Sequence, residues 1–512
     1  MLVQDYLIDS AQRYPDKTAI VCGQDRVTYA ELDGKTNQVA RALMNAGVRR
    51  GDRAIVLLPN SIEAAVALFA ILKAGAVFVP VNQSVKADKL ASIVCDCAAT
   101  AIITDAPGIR TIGETWSQMP SLSVVALTQE LDVALGERRQ LCFGEVFATE
   151  SPRPLVLPLI DQDLACLIYT SGSTGESKGV VCGHNNVVFA SGSIVSYLEN
   201  VPDDIVINVL PFSFDYGLYQ LLMVFRFTGT LVVENAFAYP AAILRTIERE
   251  KVTGLPAVPT LVSMLLKLDF SAFDLRSLRY ISNTAAALHP AQIASLQQRL
   301  PNVRIYSMYG MTECKRTLYL PPARLADKPS SVGVAIPGTE VWIEDENGRR
   351  VGAGEIGELV VRGSHVMRGY WGDEALSGRT YRPGPTPGER VLHSGDLFRM
   401  DEEGLFYFVS RKDDIIKSRG EKVAPREVEA VICELNGVLE TAVVGVPDEV
   451  LGQAIKAYVV CDGFTLTEKQ VRRHCAARLE NYMVPQQVEF VAQLARNSSG
   501  KIDKQGLMLQ HG

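Results

Sequence analysis

The feature that most constrains the fold is an alternation of short apolar, β-branched runs with helical patterns along most of the chain. Residues 53–59 have the pattern of a buried strand, residues 61–75 that of an amphipathic helix ending at glycine, and residues 76–81 that of another strand. Further strand-like runs occur at residues 100–105, 231–235, 280–282 and 303–310. Strands separated by helices predict α/β layers around a largely parallel sheet.

The pattern changes from about residue 332, where two strands around a tight turn at Glu346, Asn347 and Gly348 precede a third strand. This segment predicts a small β-subdomain. The polar run at residues 410–414 is the strongest boundary, because mixed helices and strands, including a helix beginning at Pro425, follow it. We predict a large N-terminal α/β domain at 1–410, a hinge at 411–414 and a small mobile α+β domain at 415–512.

Composition and charge exclude several classes of protein. The formal charge is −7, from 51 basic and 58 acidic residues, without the clustered basic face of a nucleic-acid-binding protein. The N-terminus lacks the pattern of a signal peptide, and the apolar residues 64–81 contain Lys73, Gly75 and Pro80, which favours a helix running into a strand over a membrane span. Ten cysteines without a CxxC motif, and six histidines without metal-ligand spacing, predict free thiols and a cytoplasmic protein.

Residues 167–180, with the sequence LIYTSGSTGESKGV, carry the most informative motif. An apolar strand leads into a loop whose glycines let backbone N–H groups approach an anion, while hydroxyls donate and a lysine neutralises charge. A flexible linker has no reason to follow a buried strand directly, and a Walker A loop would end in Gly-Lys-Ser/Thr. We therefore predict a phosphate loop of another kind, formed by Thr170, Ser171, Gly172, Ser173, Thr174, Gly175 and Lys178.

This loop resembles the signature of the adenylate-forming superfamily, which includes acyl-CoA synthetases, free-standing adenylation domains of peptide synthetases and luciferases. Ser177 stands where the family usually has proline. The resemblance continues through residues 28–33, 72–82, 309–313 (YGMTE), 392–429 and 497–504 (NSSGKIDK). It implies a ligase that uses ATP and Mg²⁺ to activate a carboxylic acid as acyl-AMP and then transfers the acyl group to a thiol.

The resemblance also assigns roles to single residues around the nucleotide. Tyr309 would stack on adenine, Thr312 would contact the α-phosphate, and Glu313 would hold Mg²⁺. Asp396 would bind the ribose hydroxyls, with Arg411 beside the ribose. The backbone of residues 285–287 would contact adenine, although this segment departs from the family's glycine-rich turn.

Other implied roles concern the exchange between two half-reactions. Lys501 matches the catalytic lysine of the adenylation step, and Asp413 matches the hinge. Lys417 and Gly420 belong to the loop presented during thioester formation. Rotation of the small domain would withdraw Lys501 and admit a pantetheine arm.

The chemistry requires cations rather than a base. An anionic carboxylate must approach the polyanionic triphosphate, and that repulsion amounts to several kcal/mol even at an effective dielectric constant of about 20. Mg²⁺, a lysine and backbone dipoles overcome it. Glu313, the phosphate loop and Lys501 supply these groups.

The sequence leaves alternatives open for the residues of the acyl pocket. Asp215 either binds the α-ammonium of an amino-acid substrate or N-caps the helix that starts near Tyr216. Arg316 either holds a second carboxylate of the substrate or lies on the surface. His184 either lines the pocket or caps local structure. We expect the pocket to comprise Asp215, Tyr216, Tyr219, Met308 and Arg316.

For the acceptor, the sequence suggests a free-standing ligase that loads the phosphopantetheine thiol of a separate carrier protein. The alternative is an acyl-CoA synthetase that uses coenzyme A and a fatty, aryl or other small organic acid. Two further rivals are a luciferase-type oxidative enzyme and a non-catalytic family member. The second conflicts with the presence of Lys501, Asp396, Arg411 and Glu313.

Overall fold

The computed structural model describes residues 1–133, 135–171, 177–234, 239–418, 421–448, 451–463, 466–496 and 502–511. The chain forms two compact units. The first comprises Met1–Glu340 and Val361–Leu392, and the second comprises Val341–Val360 and His393–Gly512. The predicted boundary at 411–414 concerns a hinge between moving domains and stays a prediction.

A nine-stranded sheet of the first unit carries most of the residues discussed below. Its strands lie in the order Val334–Ala335, Lys315–Leu320, Arg304–Met311, Tyr280–Asn283, Gly254–Ala257, Ile205–Asn208, Thr230–Val233, Thr18–Cys22 and Asp25–Thr28. The six central strands, from Arg304–Met311 to Thr18–Cys22, are parallel, and the edge strands are antiparallel. This arrangement matches the sheet that the strand–helix alternation predicts.

The first unit also contains a seven-stranded sheet. Its order is Arg139–Cys142, Val124–Leu127, Ala101–Thr104, Arg53–Leu57, Val77–Pro80, Leu164–Ser171 and Ser177–Gly183. All neighbours are parallel except the last two, which form an antiparallel hairpin, the 164–183 hairpin. Aliphatic side chains from these strands form a continuous buried cluster, so the predicted phosphate loop begins at the end of a strand fixed in the core.

Helices flank the sheets of the first unit. They are Asp5–Arg13, Tyr29–Asn45, Ile62–Lys73, Ala87–Asp96, Ala106–Ile112, Phe143–Thr149, His184–Leu198, Asp215–Phe227, Pro240–Glu250, Pro259–Leu265, Pro290–Arg299 and Glu374–Thr380. Their starts follow local chemistry: the Ser61 hydroxyl accepts a hydrogen bond from the Ala64 N–H, and Thr28 and Glu31 form a capping box.

The apolar segment 64–81 is a helix followed by a strand, as predicted. Lys73 lies at the end of this helix with its Nζ 2.5 Å from Asp33 Oδ1, so its charge is paired inside the fold. Gly75, with φ of +75°, makes the turn into the strand. No helix among the described residues is long and apolar enough to cross a membrane.

The remaining strands form two five-stranded sheets. One has the order Glu340–Glu344, Ile356–Arg362, Arg390–Met400 and Tyr381–Pro383, with Phe406–Arg411 also paired to Arg390–Met400. The other has the order Glu421–Val423, Ile416–Ser418, Gly452–Cys461 and Val438–Asp448, with Gln487–Phe490 also paired to Gly452–Cys461. The chain passes between the two units within three of these strands, Glu340–Glu344, Ile356–Arg362 and Arg390–Met400.

The second unit has the α+β character expected of the C-terminal region. Its helices are Pro425–Cys433, Glu468–Ala476 and Lys504–His511, and aliphatic side chains of its helices and strands share a buried core. One predicted strand differs from the structure. The residues after Gly348 form only an isolated bridge, between Glu344 and Arg350, because the Asp345 carboxylate accepts local N–H bonds that hold a turn instead.

Candidate functional site

The 164–183 hairpin fixes both ends of the predicted phosphate loop. Thr170 pairs with Lys178 and Ser171 pairs with Ser177 across the two strands. Thr170 and Lys178 are half-buried. The predicted loop residues Gly172, Ser173, Thr174 and Gly175 lie outside the described residues, so their contacts with phosphate stay a prediction.

Three other candidate segments follow the carboxyl ends of parallel strands in the nine-stranded sheet. The helix Asp215–Phe227, called the pocket helix below, follows the strand Ile205–Asn208. Residues 285–287 follow Tyr280–Asn283, and the YGMTE motif ends the neighbouring strand Arg304–Met311. The carboxyl edge of an open α/β sheet is the ordinary place for a ligand, and the fold therefore gathers these candidates at one edge.

The YGMTE motif occupies a tight hairpin turn between Arg304–Met311 and Lys315–Leu320. A Cβ added at Gly310 would lie 1.8 Å from the Lys315 carbonyl oxygen, so only glycine fits. Tyr309, Thr312 and Glu313 are half-buried.

Glu313 is oriented by a tyrosine that the sequence did not single out. The Tyr370 hydroxyl donates to Glu313 Oε1 at 2.8 Å, and the Met367 N–H donates to the Glu313 carbonyl oxygen. Tyr370 is 57 residues away in the chain, in a segment without a matching motif, so no local signal indicated the contact.

Two adjacent basic residues after the turn are both buried. Lys315 is 1% exposed and Arg316 is 2% exposed. Ordinary strand alternation would send one of them outward. Lys315 has a φ of +58°, and the strand pairing shifts register between Tyr309 and Gly310. This irregular backbone breaks the alternation and turns both side chains inward.

Lys315 pairs with the carboxylate of the pocket helix. Its Nζ lies 4.0 Å from Asp215 Oδ2 and 5.5 Å from the centre of the Tyr219 ring. Burial lowers the pKa of Lys315, but Cys182, Asp215 and Cys166 more than offset this effect, so the pKa is raised and the amine stays protonated.

Asp215 is not the N-cap that one reading of the sequence proposed. The N-cap of the pocket helix is Phe214, which makes no side-chain capping bond, and Asp215 is the first helical residue. Asp215 is 9% exposed. Its carboxylate still complements the positive end of the helix, but its partner is the Lys315 ammonium.

The structure also excludes a surface position for Arg316. Its guanidinium lies 4.4 Å from the centre of the Tyr216 ring and 5.9 Å from that of Tyr219. The Tyr216 hydroxyl donates to the Ser282 carbonyl oxygen at 2.7 Å, which fixes the ring. The predicted pocket residues Asp215, Tyr216, Tyr219 and Arg316 therefore form one buried cluster.

Met308 and His184 have structural contacts. The Tyr197 hydroxyl donates to Met308 Sδ at 2.9 Å. His184 begins a helix, and its Nδ1 accepts a hydrogen bond from the Val3 N–H at 3.1 Å. Burial lowers the pKa of His184 to about 4, so the ring is neutral. These contacts support the structural alternative for His184.

In the second unit, Asp396 and Arg411 are directly opposite each other across two antiparallel strands. Arg411 Nε lies 3.2 Å from Asp396 Oδ1. The Asp396 side chain is 10% exposed and that of Arg411 is 56% exposed. A carboxylate beside an accessible guanidinium suits the ribose role that the sequence predicts.

The neighbouring carboxylate Glu358 was missed by sequence reasoning. Burial raises its pKa, but the His393 ring, whose Nδ1 lies 3.6 Å from Glu358 Oε2, and hydrogen bonds from Lys412 and the Gly395 N–H outweigh burial and lower the pKa to about 2. Glu358 therefore stays ionised and holds the backbone next to Asp396 through the Gly395 N–H at 2.9 Å.

The residues predicted for domain rotation and thiol transfer lie farther along the chain. Asp413 occupies the exposed 3₁₀ turn Lys412–Asp414. Lys417 is exposed, and its N–H donates to Gln453 Oε1 at 2.7 Å. Gly420 and Lys501 lie outside the described residues. The hinge, thiol-step and catalytic roles of these residues stay predictions.

A family model described as "AMP-binding enzyme" matches residues 7–371, and one described as "AMP-binding enzyme C-terminal domain" matches residues 427–501. A feruloyl-CoA synthase from Amycolatopsis sp. is 34% identical over 500 residues, which cover 96% of each chain.

Two solved structures are similar over the full length of this chain. ATP-bound MatB from Rhodopseudomonas palustris has a TM-score of 0.89 and 28% identity, and covers 100% of this chain and 99% of its own. The anthranilate CoA ligase AuaEII, in complex with anthranoyl-AMP, has a TM-score of 0.90 and 27% identity, with 100% and 97% covered.

Proposed function

We propose, from the premise that this chain belongs to the AMP-binding enzyme family, that it is an acyl-CoA synthetase acting on a non-amino carboxylic acid. The chain is an AMP-forming ligase by its family and its named relatives. The observation that carries the choice of acceptor is the 34% identity, over 96% of the chain, to a CoA synthase. This favours the coenzyme A alternative over loading of a carrier protein.

The adenylation step joins the acid to AMP. A carboxylate oxygen of the acid attacks the α-phosphorus of ATP, the bond to the β-phosphate oxygen breaks, and pyrophosphate leaves. Thr312 would contact the α-phosphate and Lys178 would neutralise charge on the departing pyrophosphate, each at the end of a strand that the core holds in place. Lys501 would bridge the acid and the α-phosphate.

The residues present fit an Mg²⁺ ion bound mainly by the substrate. No group of three or more His, Cys, Asp or Glu residues in the described part of the chain could hold a metal. Mg²⁺ at phosphate sites commonly takes one or two carboxylates plus phosphate oxygens and water. Glu313 offers one carboxylate, oriented by Tyr370. When bound, the ion would neutralise phosphate charge during adenylation.

The thioester step transfers the acyl group to sulfur. The thiol of coenzyme A attacks the acyl carbon of acyl-AMP, the bond to the phosphate oxygen breaks, AMP leaves, and the thiol proton goes to solvent. Asp396 and Arg411 would hold the ribose of the same nucleotide through both steps. Rotation about Asp413 would exchange Lys501 for the loop that contains Lys417.

The buried pair in the pocket argues against an amino-acid substrate. In amino-acid-activating members of the adenylate-forming superfamily, a carboxylate at the position of Asp215 binds the α-ammonium of the substrate. Here Lys315 already places an ammonium 4.0 Å from Asp215 Oδ2. A second cation there would add repulsion in a buried site. We infer that the substrate brings no amino group to Asp215.

The test measures pyrophosphate release and thioester formation with fatty, aryl, dicarboxylic and amino acids. Each acid is offered with coenzyme A, or with a phosphopantetheinylated carrier protein. We expect coenzyme A thioesters and no acylated carrier. Acylation of the carrier alone, or activation of amino acids alone, would overturn the proposal.

Variants of two lysines test the assignment of the catalytic lysine. Lys501→Ala should abolish pyrophosphate release while still converting supplied acyl-AMP to the thioester. Lys469→Ala, at an exposed helix position in the same unit, should behave as the wild type. Full adenylation by Lys501→Ala would refute the role given to Lys501.

A further inference from the structure

The Arg316 guanidinium is a buried charge without a carboxylate partner among the residues that the structure describes. The residue is 2% exposed. Its Nε and Nη2 atoms have no hydrogen-bond partner in the described part of the chain. Its guanidinium lies over aromatic rings, with the centre of the Tyr216 ring at 4.4 Å. A ring face attracts a cation but accepts no strong hydrogen bond from its N–H groups.

The Asp215 carboxylate of this cluster pairs with another cation. Asp215 lies 4.0 Å from Lys315 Nζ, and the Cys166 and Cys182 thiols also act on Lys315. The cluster thus holds two cations, Lys315 and Arg316, against one carboxylate, and the excess positive charge lies at Arg316.

This charge cannot be removed by deprotonation, because a guanidinium stays protonated in proteins. A buried charge normally requires an opposite charge and satisfied hydrogen bonds. The described residues provide neither for Arg316, which leaves its guanidinium edge available to an anion brought by a ligand.

The two partnerless atoms identify the kind of anion. Nε and Nη2 form one edge of the guanidinium, and their N–H groups point in parallel, which matches the two oxygens of a carboxylate. The ring of Tyr216, held through its hydroxyl bond to Ser282, supports the flat face of the guanidinium. The edge is thereby oriented for a two-point contact.

The position of Arg316 places this contact within the acyl pocket. It stacks on Tyr216 of the pocket helix and pairs with Gly310 of the YGMTE hairpin. We propose that the acid substrate is a dicarboxylic acid, whose non-reacting carboxylate binds Arg316 Nε and Nη2 while the other carboxyl group is adenylated. This inference rests on the proposed function and names its substrate class.

The experiment compares matched acids in the full-length wild-type enzyme with ATP, Mg²⁺ and coenzyme A. The probes are α,ω-dicarboxylic acids of three to ten carbons, aryl dicarboxylic acids, and the monomethyl ester of each. We expect kcat/KM to be at least 100-fold higher for the best diacid than for its monomethyl ester. If the wild-type kcat/KM for the diacid is no higher than that for its monomethyl ester, the inference is overturned. This comparison needs no variant.

Three variants test whether Arg316 is the residue that binds the second carboxylate. Arg316→Met should reduce the ratio of kcat/KM for the diacid to kcat/KM for its monoester from at least 100 to about one, with the loss for the diacid mainly in KM. Arg316→Lys, which keeps the charge but not the two-point edge, should recover part of the diacid activity. The control is Arg276→Met, because the Arg276 side chain is 90% exposed. This variant should leave kcat/KM unchanged for both acids.

The outcomes separate this inference from the proposed function. Coenzyme A thioesters formed from monocarboxylic acids but not from diacids would overturn the diacid inference and leave the acyl-CoA synthetase proposal standing. An equal loss for both acids in Arg316→Met would show that Arg316 serves the reacting carboxylate or the fold, and would also overturn the inference. Absence of thioester from every acid would overturn the proposed function itself.

Discussion

The buried Lys315–Asp215 pair makes a quantitative prediction about stability. At the 4.0 Å that separates Nζ from Oδ2, two unit charges attract by about 4 kcal/mol at an effective dielectric constant of about 20. Removing one partner of a buried pair costs about 3–5 kcal/mol, because the other charge is left unpaired. The Asp215 side chain is 12% exposed and that of Lys315 is 0% exposed. We expect Asp215→Asn to lower the free energy of unfolding by about 3 kcal/mol.

The double variant should be far less damaging than the two single variants together. Asp215→Asn with Lys315→Met removes both charges, so no unpaired ion remains, and the coupling free energy should be at least about 2 kcal/mol. Urea unfolding followed by tryptophan fluorescence measures each variant. A Trp342→Phe background leaves Trp116 and Trp371 as reporters of the first unit.

A matched surface pair supplies the control. Asp274 pairs with Lys251 and Arg276, whose side chains are 61% and 90% exposed. Asp274→Asn should lower stability much less than Asp215→Asn, because exposed ion pairs contribute little. Strict additivity of Asp215→Asn and Lys315→Met, or a loss no larger than in the control, would refute the reasoning that Lys315 depends on this carboxylate.

Three other sites give further predictions. Burial lowers the pKa of His365 from 6.5 to about 4, so the unfolded chain binds more protons between these values and stability falls as the pH drops from 6.5 to 4. His365→Phe should reduce this loss, measured as the urea midpoint at pH 7 and pH 4.5; an unchanged difference would contradict it. Tyr370→Phe removes the 2.8 Å bond to Glu313 and should raise the Mg²⁺ concentration for half-maximal pyrophosphate release roughly tenfold, since one such bond contributes about 1.5 kcal/mol. A Mg²⁺ titration that matches the wild type would exclude this role. Asp396→Ala should raise KM for ATP at least roughly tenfold, because a hydrogen bond to a charged group contributes about 1.5–3 kcal/mol, and leave KM for coenzyme A unchanged. An equal rise in both would indicate that the exposed guanidinium of Arg411, 3.2 Å away, has lost its position.

The sequence predicted the parts of the fold that depend on local pattern. The alternation at residues 53–81 gave a strand, a helix and a strand, found as Arg53–Leu57, Ile62–Lys73 and Val77–Pro80. The period of apolar residues and the residues that start and end a helix act over a few positions, so one chain is enough to identify them. The strand after Gly348 was the exception, because side-chain bonds from Asp345 compete with strand pairing there.

Motifs formed by residues close together in the chain could also be identified from the sequence. Tyr309, Thr312 and Glu313 fall within one turn, and Thr170 and Lys178 lie at the two ends of one loop. The chemistry of these motifs depends on residues close together in the chain, so the sequence was sufficient to propose an adenylate-forming site.

Only the tertiary structure decided which side chains meet in the proposed acyl pocket. Asp215 and Lys315 meet across the fold, because three strands of the sheet lie between Ile205–Asn208, which precedes the pocket helix, and Lys315–Leu320, and many residues separate them in sequence. Strand periodicity could not predict that Lys315 and Arg316 both turn inward, since a φ of +58° at Lys315 interrupts the alternation. The sequence by itself determined the motifs and most of the elements. The pairing of buried charges was decided by the packing of distant strands, because in a low-dielectric interior a charge is fixed by whichever group the fold places beside it.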